Sequence, residues 1–340
     1  MTFRIRPAAP RDLQSLYEMA KLTGGGFTNL PADKPALKAK LERSDAGFGR
    51  DDDHLADDLF ILVLENVATG QIRGTCQLLS KVGEKSPFYS YRIGALTQHS
   101  PELGRTFRAD MLSIVTDLEG SSEVGGLFLH PHERAGGLGM LLARSRYLFI
   151  RQHRARFANR VLAELRGVID DAGGSPFWDG IAGKFFGMNF QDADAFNAIH
   201  GTGVLANLMP KHPVYTAMLP ETARAVIGLP HPSGRAAMRM LEAEGFHHDH
   251  YIDIFDGGPS MTAFTDRIRS VSDALDTPIT RIAELGEDEG EKLLVARGRL
   301  KGFVAAYAQV MAEDGGVAIE PAAAEALRLA VGDAVVTIPR

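Results

Sequence analysis

The sequence predicts an α/β protein that ends in a small β-rich module. An apolar strand pattern over Val124–Leu129 runs into a glycine-rich turn and then into apolar residues at helical spacing from Leu141 onward. Beyond residue 270 short strand-like runs alternate with acidic turns. The chain has 340 residues, of which 45% are hydrophobic, and this is enough for two domains or for one large domain with an appendage.

The N-terminal part carries strand, helix and hairpin signals in that order. The predicted elements are a strand over Phe3–Arg6, a helix capped by Asp12 with Leu13, Leu16, Met19 and Ala20 on one face, and a hairpin of strands Leu59–Glu65 and Ile72–Ser80. The acidic run Asp51–Asp58 that precedes the hairpin is interpreted as an exposed loop. These elements predict a sheet with helices on it.

The rest of the chain divides by its loop signals. Residues 155–230 are rich in turn signals and are interpreted as an elaboration within a domain over residues 1–270, followed by a β-rich module over residues 271–340. A helix is predicted from Ser233 to a C′ glycine at Gly245, followed by a strand over Tyr251–Phe255. In the module the predicted elements are strands Ile282–Leu285, Leu293–Val295 and Val335–Ile338 and a helix over Ala322–Leu329.

The stretch Glu123–Leu142 has the features of an anion-binding loop. Gly125 and Gly126 lie inside its strand, where glycine usually marks a bulge or a close approach by a ligand. The following R-A-G-G-L-G run exposes backbone N–H groups at a helix N-terminus, which suits a pyrophosphate. A dinucleotide motif would need glycine where Leu142 stands, and the G-K-S/T of a P-loop is missing. The alternative is a plain glycine-rich turn.

Charge and cysteine content exclude several classes of protein. The net charge of −6 argues against general binding of nucleic acid or of acidic membranes. The arginines between Arg144 and Arg160 are interpreted as the solvated face of one helix. A single cysteine, Cys76, excludes a disulfide framework and is expected to be a buried thiol without a catalytic role. No apolar run of ~18 residues could span a bilayer, so a cytoplasmic protein is expected.

The pattern L-F-L-x-P followed by R-x-x-G-x-G resembles the GCN5-related N-acyltransferases, whose loop cradles the pyrophosphate of coenzyme A. Further segments, spread over residues 1–270, together resemble the arginine N-succinyltransferase family, including its arginine/ornithine-acting alpha-subunit relatives. These segments are Gly26–Asp33, Ser86–Arg92, Glu164–Gly167, Ser175–Trp178, Leu208–Pro213 and Ile252–Pro259. The resemblance implies an acyltransferase fold with a mixed, mostly antiparallel sheet flanked by helices.

The resemblance also implies a reaction and its site. The reaction is transfer of succinyl from succinyl-CoA to the α-amino group of L-arginine, with L-ornithine as a further candidate acceptor, in arginine catabolism. His231 maps onto the family's proton donor. The implied cofactor-binding residues are Leu127, Leu129, Arg134, Gly137, Leu138 and Gly139. The expected assembly is a homo-oligomer or a heteromer with a paralogous subunit. Two departures from the family pattern are Gly125, where cysteine is common, and Asn207, where glutamate is common.

Amide formation from a thioester needs a neutral amine, a polarised carbonyl and a protonated leaving thiolate. Glu123 is a candidate base for the amine, and backbone N–H groups freed by Gly125-Gly126 could hold the oxyanion. His231 could protonate the sulfur, because histidine exchanges protons near neutrality. The alternatives are an ordinary strand-end carboxylate for Glu123 and a turn residue for His231. With one cysteine and no G-x-S-x-G elbow, direct transfer in a ternary complex is expected.

The acceptor needs carboxylates for its guanidinium and donors for its carboxylate. Asp253 and Asp256 are candidates for the first role and Arg92 for the second. A metal site is not expected at His247-His248-Asp-His250, because adjacent residues on a strand point to opposite faces. The sequence leaves open two other functions: a CoA-dependent N-acyltransferase with a different acceptor or donor, and a non-catalytic, regulatory subunit of a heteromeric succinyltransferase.

Overall fold

The computed structural model describes residues 2–23, 29–134, 136–200, 205–207, 209–286 and 289–340. Parts of two segments singled out from the sequence, Gly26–Thr28 and Leu208, lie outside the described residues, as does Ala135 of the glycine-rich loop. The chain packs as two compact units. The first unit consists of Met1–Ser80, Ser122–Asn159 and Phe264–Arg340, and the second of Lys81–Ser121 and Arg160–Ala263.

The strands of the described residues are, in chain order, β1 (Phe3–Pro7), β2 (Leu59–Asn66), β3 (Ile72–Leu79), β4 (Ser90–Ser100), β5 (Arg105–Val115), β6 (Ser122–Leu129), β7 (Arg160–Glu164), β8 (Val214–Tyr215), β9 (His247–Ile252), β10 (Pro259–Phe264), β11 (Leu275–Ile282), β12 (Glu291–Arg297), β13 (Val304–Glu313), β14 (Gly316–Ile319) and β15 (Ala334–Pro339). The α-helices are α1 (Leu13–Lys21), α2 (Lys34–Gly49), α3 (Leu138–Gln152), α4 (Pro176–Gly180), α5 (Gly183–Phe186), α6 (Phe190–His200), α7 (Glu221–Arg224), α8 (Arg235–Ala243), α9 (Arg269–Ser272) and α10 (Pro321–Leu327).

The first unit combines an antiparallel sheet with a small barrel. Strands β1, β2, β3 and β6 are neighbours in that order and run antiparallel. Strands β12, β15, β11, β14 and β13 follow one another, and β13 also pairs with β12, which closes the ring. Only β11 and β14 pair in parallel in this ring. The barrel joins the sheet where Ile5 of β1 pairs with Ala305 of β13.

The core of the first unit contains a cluster of aromatic rings. Phe60 lies with its ring centroid 5.0 Å from that of Phe48 and 4.9 Å from that of Phe149. Phe303, from the loop before β13, packs edge-on against Phe149 at 5.1 Å. Burial of such large rings is the main favourable contribution to folding. The ring cluster packs α2, α3 and the segment before β13 against β2.

The second unit has its own sheet and core. Its strands follow the order β7, β10, β9, β4, β5, β8, and the long hairpin β4–β5 pairs from Ser90 with Val115 to Ser100 with Arg105. The indole of Trp178 on α4 stacks on Phe255 with ring centroids 5.8 Å apart, and its Nε1–H donates to the Met188 carbonyl. Trp178 is fully buried, so the Ser-Pro-Phe-Trp segment serves packing.

The predicted fold class is confirmed: a mixed, mostly antiparallel sheet is flanked by helices. The hairpin is present as β2 and β3, and Leu16, Met19 and Ala20 of α1 are buried as its periodicity predicts. Asp12 does stand at the start of α1, but its side chain does not cap that helix. Its carboxylate instead accepts from the Ala9 N–H and pairs with Arg6 at 2.7 Å.

Three local predictions are wrong. Residues 253–258 form a turn after β9, because the Asp253 carboxylate accepts the backbone N–H groups of Phe255 and Asp256. Residues 283–285 are not a strand, since β11 ends at Ile282. The arginines of α3 are not a solvated face. Arg144 and Arg146 are 6% and 4% exposed, and Arg144 donates to Ser270 and to the Pro339 carbonyl.

The C-terminal residues are β-rich and pack within the first unit. The sequence prediction missed the hairpin β13–β14, although its Asp314-Gly315 turn is a standard hairpin signal. The division of the chain into domains at residue 270 stays a prediction. Within the described residues no helix has the length and apolar character needed to cross a membrane.

Candidate functional site

Strand β6 carries a bulge at its glycine pair. Thr75 of β3 pairs with Phe128, and Gln77 pairs with Gly125. Two residues of β6, Gly126 and Leu127, therefore lie opposite the one residue of β3 between Thr75 and Gln77. Gly126 has a φ of +58°, and a Cβ there would lie 2.8 Å from the Gln77 side chain. Glycine is therefore required on conformational and steric grounds, and the bulge predicted from Gly125-Gly126 is present.

The glycine-rich loop presents free backbone donors at the start of α3. Gly137 holds the N-cap position with a φ of +81°, and no side chain caps the helix. The Met140 and Leu141 N–H groups donate to the Gly137 carbonyl, whereas the N–H groups of Leu138 and Gly139 have no acceptor among the described residues. The nearest atom to a Cβ on Gly139 would be Leu129 Cδ2 at 3.9 Å, so the missing side chain leaves space in front of these donors. This arrangement fits the pyrophosphate of coenzyme A.

Two residues from the C-terminal barrel reach the same loop. Arg340 donates from Nη2 to the Gly136 carbonyl at 2.7 Å, and its guanidinium lies 5.0 Å from the centre of the Tyr307 ring. The Tyr307 hydroxyl donates to the Gly137 carbonyl at 3.4 Å. A cation beside a helix N-terminus is disfavoured by the helix dipole unless an anion lies near both. Arg340 therefore strengthens the loop as an anion site.

Glu123 of β6 is half-buried and pairs with Leu79 of β3, as Gly125 pairs with Gln77, so Glu123 and Gly125 lie on the same face of the strand before the bulge. Burial raises the pKa of Glu123, and the attraction of Lys40 and a hydrogen bond from Asn29 offset only part of this effect. Burial likewise lowers the pKa of Lys40 to about 8. Lys40 Nζ donates to the Asn29 carbonyl at 2.9 Å. Such a carboxyl group can accept a proton near neutral pH, as a general base must.

His231 lies in the second unit, at the start of a short 3-10 helix over Pro232–Gly234 that leads into α8. Its N–H donates to the Arg166 carbonyl at 2.7 Å, and Pro230 forms a β-bridge with Gly167. The ring nitrogen Nδ1 accepts from the Ser233 N–H at 3.2 Å and lies 2.7 Å from the Ser233 hydroxyl. In the neutral ring the proton therefore resides on Nε2. Burial lowers the pKa of His231, and the charge of Arg166 lowers it further.

Asp253 and Asp256 organise the loop that supports His231. Asp256 accepts from the Gly167 N–H through Oδ2 and from the Gly258 N–H through Oδ1, both at 2.8 Å. Burial raises the pKa of Asp256, and the charge of Asp253 raises it further. A side chain on Gly167 or Gly258 would collide with the facing backbone. The segments that the sequence singled out around Gly167, His231 and Asp256 are thus brought together.

Arg92 lies on β4 and is half exposed. Its Nη1 donates to Asp117 Oδ2 at 3.1 Å, and the Tyr251 hydroxyl donates to the same oxygen at 3.0 Å. Its charge is therefore already matched by a carboxylate. Arg166 has a different setting, since its charge acts on His231, on Asp256 and on Asp194 of α6.

Cys76 is completely buried, and its Sγ donates to the Leu142 carbonyl at 3.5 Å. Burial raises the pKa of this thiol to about 12, so it is not a nucleophile at neutral pH. Among the described side chains no group of three or more His, Cys, Asp or Glu residues could hold a metal ion.

Five residues at these places were not selected from the sequence: Asn29, Lys40, Arg166, Asp194 and Arg340. Arg166 stands in the segment Glu164–Gly167 that was singled out, so that segment was the available signal. Lys40 and Arg340 reach Glu123 and the glycine-rich loop from distant parts of the sequence, and nothing in their local sequence indicates this.

The chain matches the family model described as arginine N-succinyltransferase beta subunit over residues 3–270, and the model of that subunit's C-terminal domain over residues 276–339. It is 37% identical to arginine N-succinyltransferase subunit beta of Pseudomonas aeruginosa over 335 residues, which are 98% of this chain and 97% of that protein. It is 38% identical to arginine N-succinyltransferase of Salmonella arizonae over 334 residues, 97% of this chain and 95% of that protein.

The solved structure of arginine/ornithine succinyltransferase subunit AI from Pseudomonas aeruginosa is similar along the whole chain. Its TM-score is 0.90 at 31% sequence identity, and the match covers 99% of this chain and 98% of that one. The chain belongs to the arginine N-succinyltransferase family and is an N-acyltransferase.

Proposed function

We propose that the protein transfers the succinyl group of succinyl-CoA to the α-amino group of L-arginine, with L-ornithine as a second acceptor, by direct transfer in a ternary complex. The observation that carries this proposal is the full-length match to relatives that bear the name arginine N-succinyltransferase. The buried, weakly acidic thiol of Cys76 supports direct transfer, because it argues against an acyl-enzyme on that residue.

The proposed donor site is built from β6 and the start of α3. The Leu138 and Gly139 N–H groups bind the pyrophosphate, Arg134 and Arg340 supply positive charge beside it, and Leu127 and Leu129 line the strand along which the pantetheine arm lies. The exposed Arg134 makes no side-chain hydrogen bond or ion pair within the described residues, so its charge is available to a phosphate. The bulge at Gly126 frees backbone donors for the thioester oxygen.

The chain's own groups move the protons. The α-ammonium of the acceptor loses one proton to Glu123 before it attacks the thioester carbon, and Glu123 passes this proton to solvent. A C–N bond then forms and the C–S bond breaks. The imidazolium of His231 gives a proton to the sulfur, and the imidazole that is left takes up the second proton lost by the amine. The raised pKa of Glu123 suits the first role. For the second role Nε2 is the ring nitrogen that is left, because Nδ1 contacts Ser233.

For the acceptor we propose two anchors. Arg166 binds the α-carboxylate, because it lies close enough to His231 for its charge to act on that ring. Asp194 binds the guanidinium, because Asp253 and Asp256 use their carboxylate oxygens to hold backbone N–H groups. Burial raises the pKa of Asp194, and a bound guanidinium would lower it again.

We also propose that the chain assembles, either with copies of itself or with a paralogous subunit, and that it acts in the cytoplasm. The relative from Pseudomonas aeruginosa is named as a subunit, which supports assembly. The absence of an apolar run long enough to span a bilayer motivates the proposed location.

A thiol-release assay tests the reaction. The purified chain is incubated with succinyl-CoA or acetyl-CoA and with L-arginine, L-ornithine or L-lysine. We expect the fastest thiol release with succinyl-CoA and L-arginine, and none above background with Nα-acetyl-L-arginine, whose α-amino group is blocked. No thiol release with any pair of donor and acceptor would overturn the proposal. Faster thiol release with acetyl-CoA than with succinyl-CoA would mean that succinyl-CoA is not the acyl donor.

A charge at Gly139 tests the proposed donor site. Gly139→Asp is expected to raise KM for the acyl-CoA about tenfold relative to Gly139→Asn, because the carboxylate repels a phosphate that the amide of equal size does not. Both side chains have space, and an acidic residue in the first helical turn stabilises the helix, so melting temperatures should not fall for steric reasons. Arg340→Ala should raise the same KM. Equal KM values for the aspartate and asparagine variants would show that no phosphate binds here.

A further inference from the structure

A basic cavity of about 410 Å³ lies within the first unit, and no residue of β6 or α3 is part of its lining. Its wall is formed by β1 and the turn after it, by α2, by the residues between β12 and β13, and by the end of α10. Its charged lining consists of six cations and one acid: Arg4, Arg6, Arg11, Arg297, Lys301, Arg328 and Asp45. The chain as a whole carries a net charge of −6, so composition does not explain this concentration of positive charge.

Four of the six cations are matched by carboxylates. Arg4 and Arg6 both pair with Glu65, and Arg6 pairs also with Asp12. The remaining matched pairs are Lys301 with Asp45 at 2.8 Å and Arg297 with Asp333 at 3.4 Å.

The other two cations are Arg11 and Arg328. Both are exposed at the cavity, and neither makes an ion pair or a side-chain hydrogen bond within the described part of the chain. Four carboxylates against six cations leave an excess of two positive charges around one cavity. Such an excess is compensated by a bound anion more effectively than by bulk salt, because concave walls concentrate the field.

A second, independent observation concerns Arg6. This side chain lines the cavity and is only 8% exposed, and its Nε–H has no hydrogen-bond acceptor although its terminal nitrogens bind Asp12 and Glu65. The Nε atom is closed off from solvent, so Arg6 contributes its positive charge to the cavity wall and not a free donor.

The backbone also holds Arg328 in place. Arg328 caps the C-terminus of α10 with a φ of +55°, a left-handed conformation that glycine adopts far more readily. Its carbonyl accepts a hydrogen bond from Arg297 Nη1. An arginine therefore occupies a position where backbone geometry favours glycine, and the result is a guanidinium at the cavity.

We propose that this cavity binds a small polyanion, with at least two negative charges carried on carboxylate or phosphate groups, which Arg11 and Arg328 hold. Guanidinium groups match both kinds of oxyanion through paired N–H donors. The volume admits a molecule of about a dozen non-hydrogen atoms. Two sources of this chemistry exist, a free metabolite anion and the phosphates of an acyl-CoA.

Calorimetric titration of the intact chain with citrate at low salt tests the proposal. We expect citrate to bind, and the double variant Arg11→Gln/Arg328→Gly to bind it at least tenfold more weakly. Arg328→Gly suits the left-handed backbone, so the variant should melt no lower than the wild type. The matched control is Arg105→Gln in the second unit, an exposed arginine that does not line the cavity, and this variant should bind citrate as the wild type does.

Repeating the titration with saturating CoA separates the two sources. If the citrate affinity is unchanged, the site takes a free anion. If CoA displaces citrate, phosphates of CoA enter the cavity. Either result supports an anion site, provided that the double variant has lost citrate binding. No citrate binding at millimolar concentration, or equal binding by the double variant and the wild type, would overturn the proposal. Because the readout is binding, it does not depend on the acyl transfer proposed above.

Discussion

Replacing His231 with alanine is expected to lower kcat for thiol release about 100-fold, the usual size of a lost general acid or base. The reason is the proton that the departing sulfur needs, which we assign to the imidazole. KM for the acyl-CoA should change little, since no proposed donor-binding residue changes. Steady-state kinetics with succinyl-CoA and L-arginine measure both constants.

Alanine also removes a structural contact, and two further variants separate the effects. The His231 ring accepts the Ser233 N–H through Nδ1, so alanine leaves that donor without a side-chain partner. In His231→Asn a side-chain oxygen can take the place of Nδ1, and asparagine is among the best residues at a helix N-cap. In His231→Gln a side-chain amide N–H reaches about as far as Nε2 does. Neither amide can donate a proton to sulfur at neutral pH.

We expect the asparagine and glutamine variants to melt as the wild type does or close to it, and to turn over as slowly as alanine. Cys76→Ser serves as the comparison: it changes a fully buried thiol that the reaction does not use, and its turnover should stay near that of the wild type. Full activity in His231→Asn would mean that the ring only caps the helix. Full activity in His231→Gln would mean that hydrogen bonding, rather than proton transfer, suffices.

The features that the sequence did predict correctly depend on local pattern. Gly126 lies at φ +58° and Gly137 at φ +81°, and few residues other than glycine adopt such values, so glycine at these positions indicates the bulge and the loop. The continuous apolar run over residues 59–64 indicates in the same way a strand that is buried on both faces, and every residue of β2 is buried. These signals depend on neighbours within a few residues, which a sequence displays directly.

The features that the sequence did not predict depend on distant partners. Arg156 is fully buried and pairs with Asp53, which stands 103 positions earlier, so a charged residue near the end of a helical pattern was interpreted as solvated. Asp12 stands where an N-cap belongs, but Arg6 and the Ala9 N–H occupy its carboxylate. The local sequence pattern identified both residues as charged positions at helix ends. Their actual contacts are ion pairs with residues that the local pattern does not include.

The candidate site shows the same division. The glycine-rich loop, Glu123 and His231 were selected from motifs and from family resemblance. Burial shifts the pKa values of Glu123 and His231 most; the charge of Lys40 opposes this shift at Glu123, and the charge of Arg166 adds to it at His231. These two neighbours were not selected, because electrostatic neighbours are defined only once the chain has folded. This matters for chemistry, since a carboxyl group acts as a base at neutral pH only in particular surroundings.

Replacing Glu123 with glutamine is expected to lower kcat/KM about 100-fold at neutral pH and to flatten its pH dependence on the acid side. A base must be deprotonated to act, so in the wild type kcat/KM rises with pH through the pKa of Glu123. Burial raises that pKa, and the acid limb should therefore lie above the usual range for glutamate. Glutamine keeps the size of the side chain and does not titrate in this range.

Lys40 provides the matched control, because it changes the base without removing it. The positive charge of Lys40 lowers the pKa of Glu123, opposing the effect of burial. In Lys40→Met that opposition is lost, so the acid limb of the profile should move to higher pH while the rate on the plateau is kept. Should the limb stay in place in Lys40→Met, or persist in Glu123→Gln, another group would be the base. A shift in the first variant and a loss in the second together point to Glu123, because an indirect structural effect would lower the plateau without moving the limb.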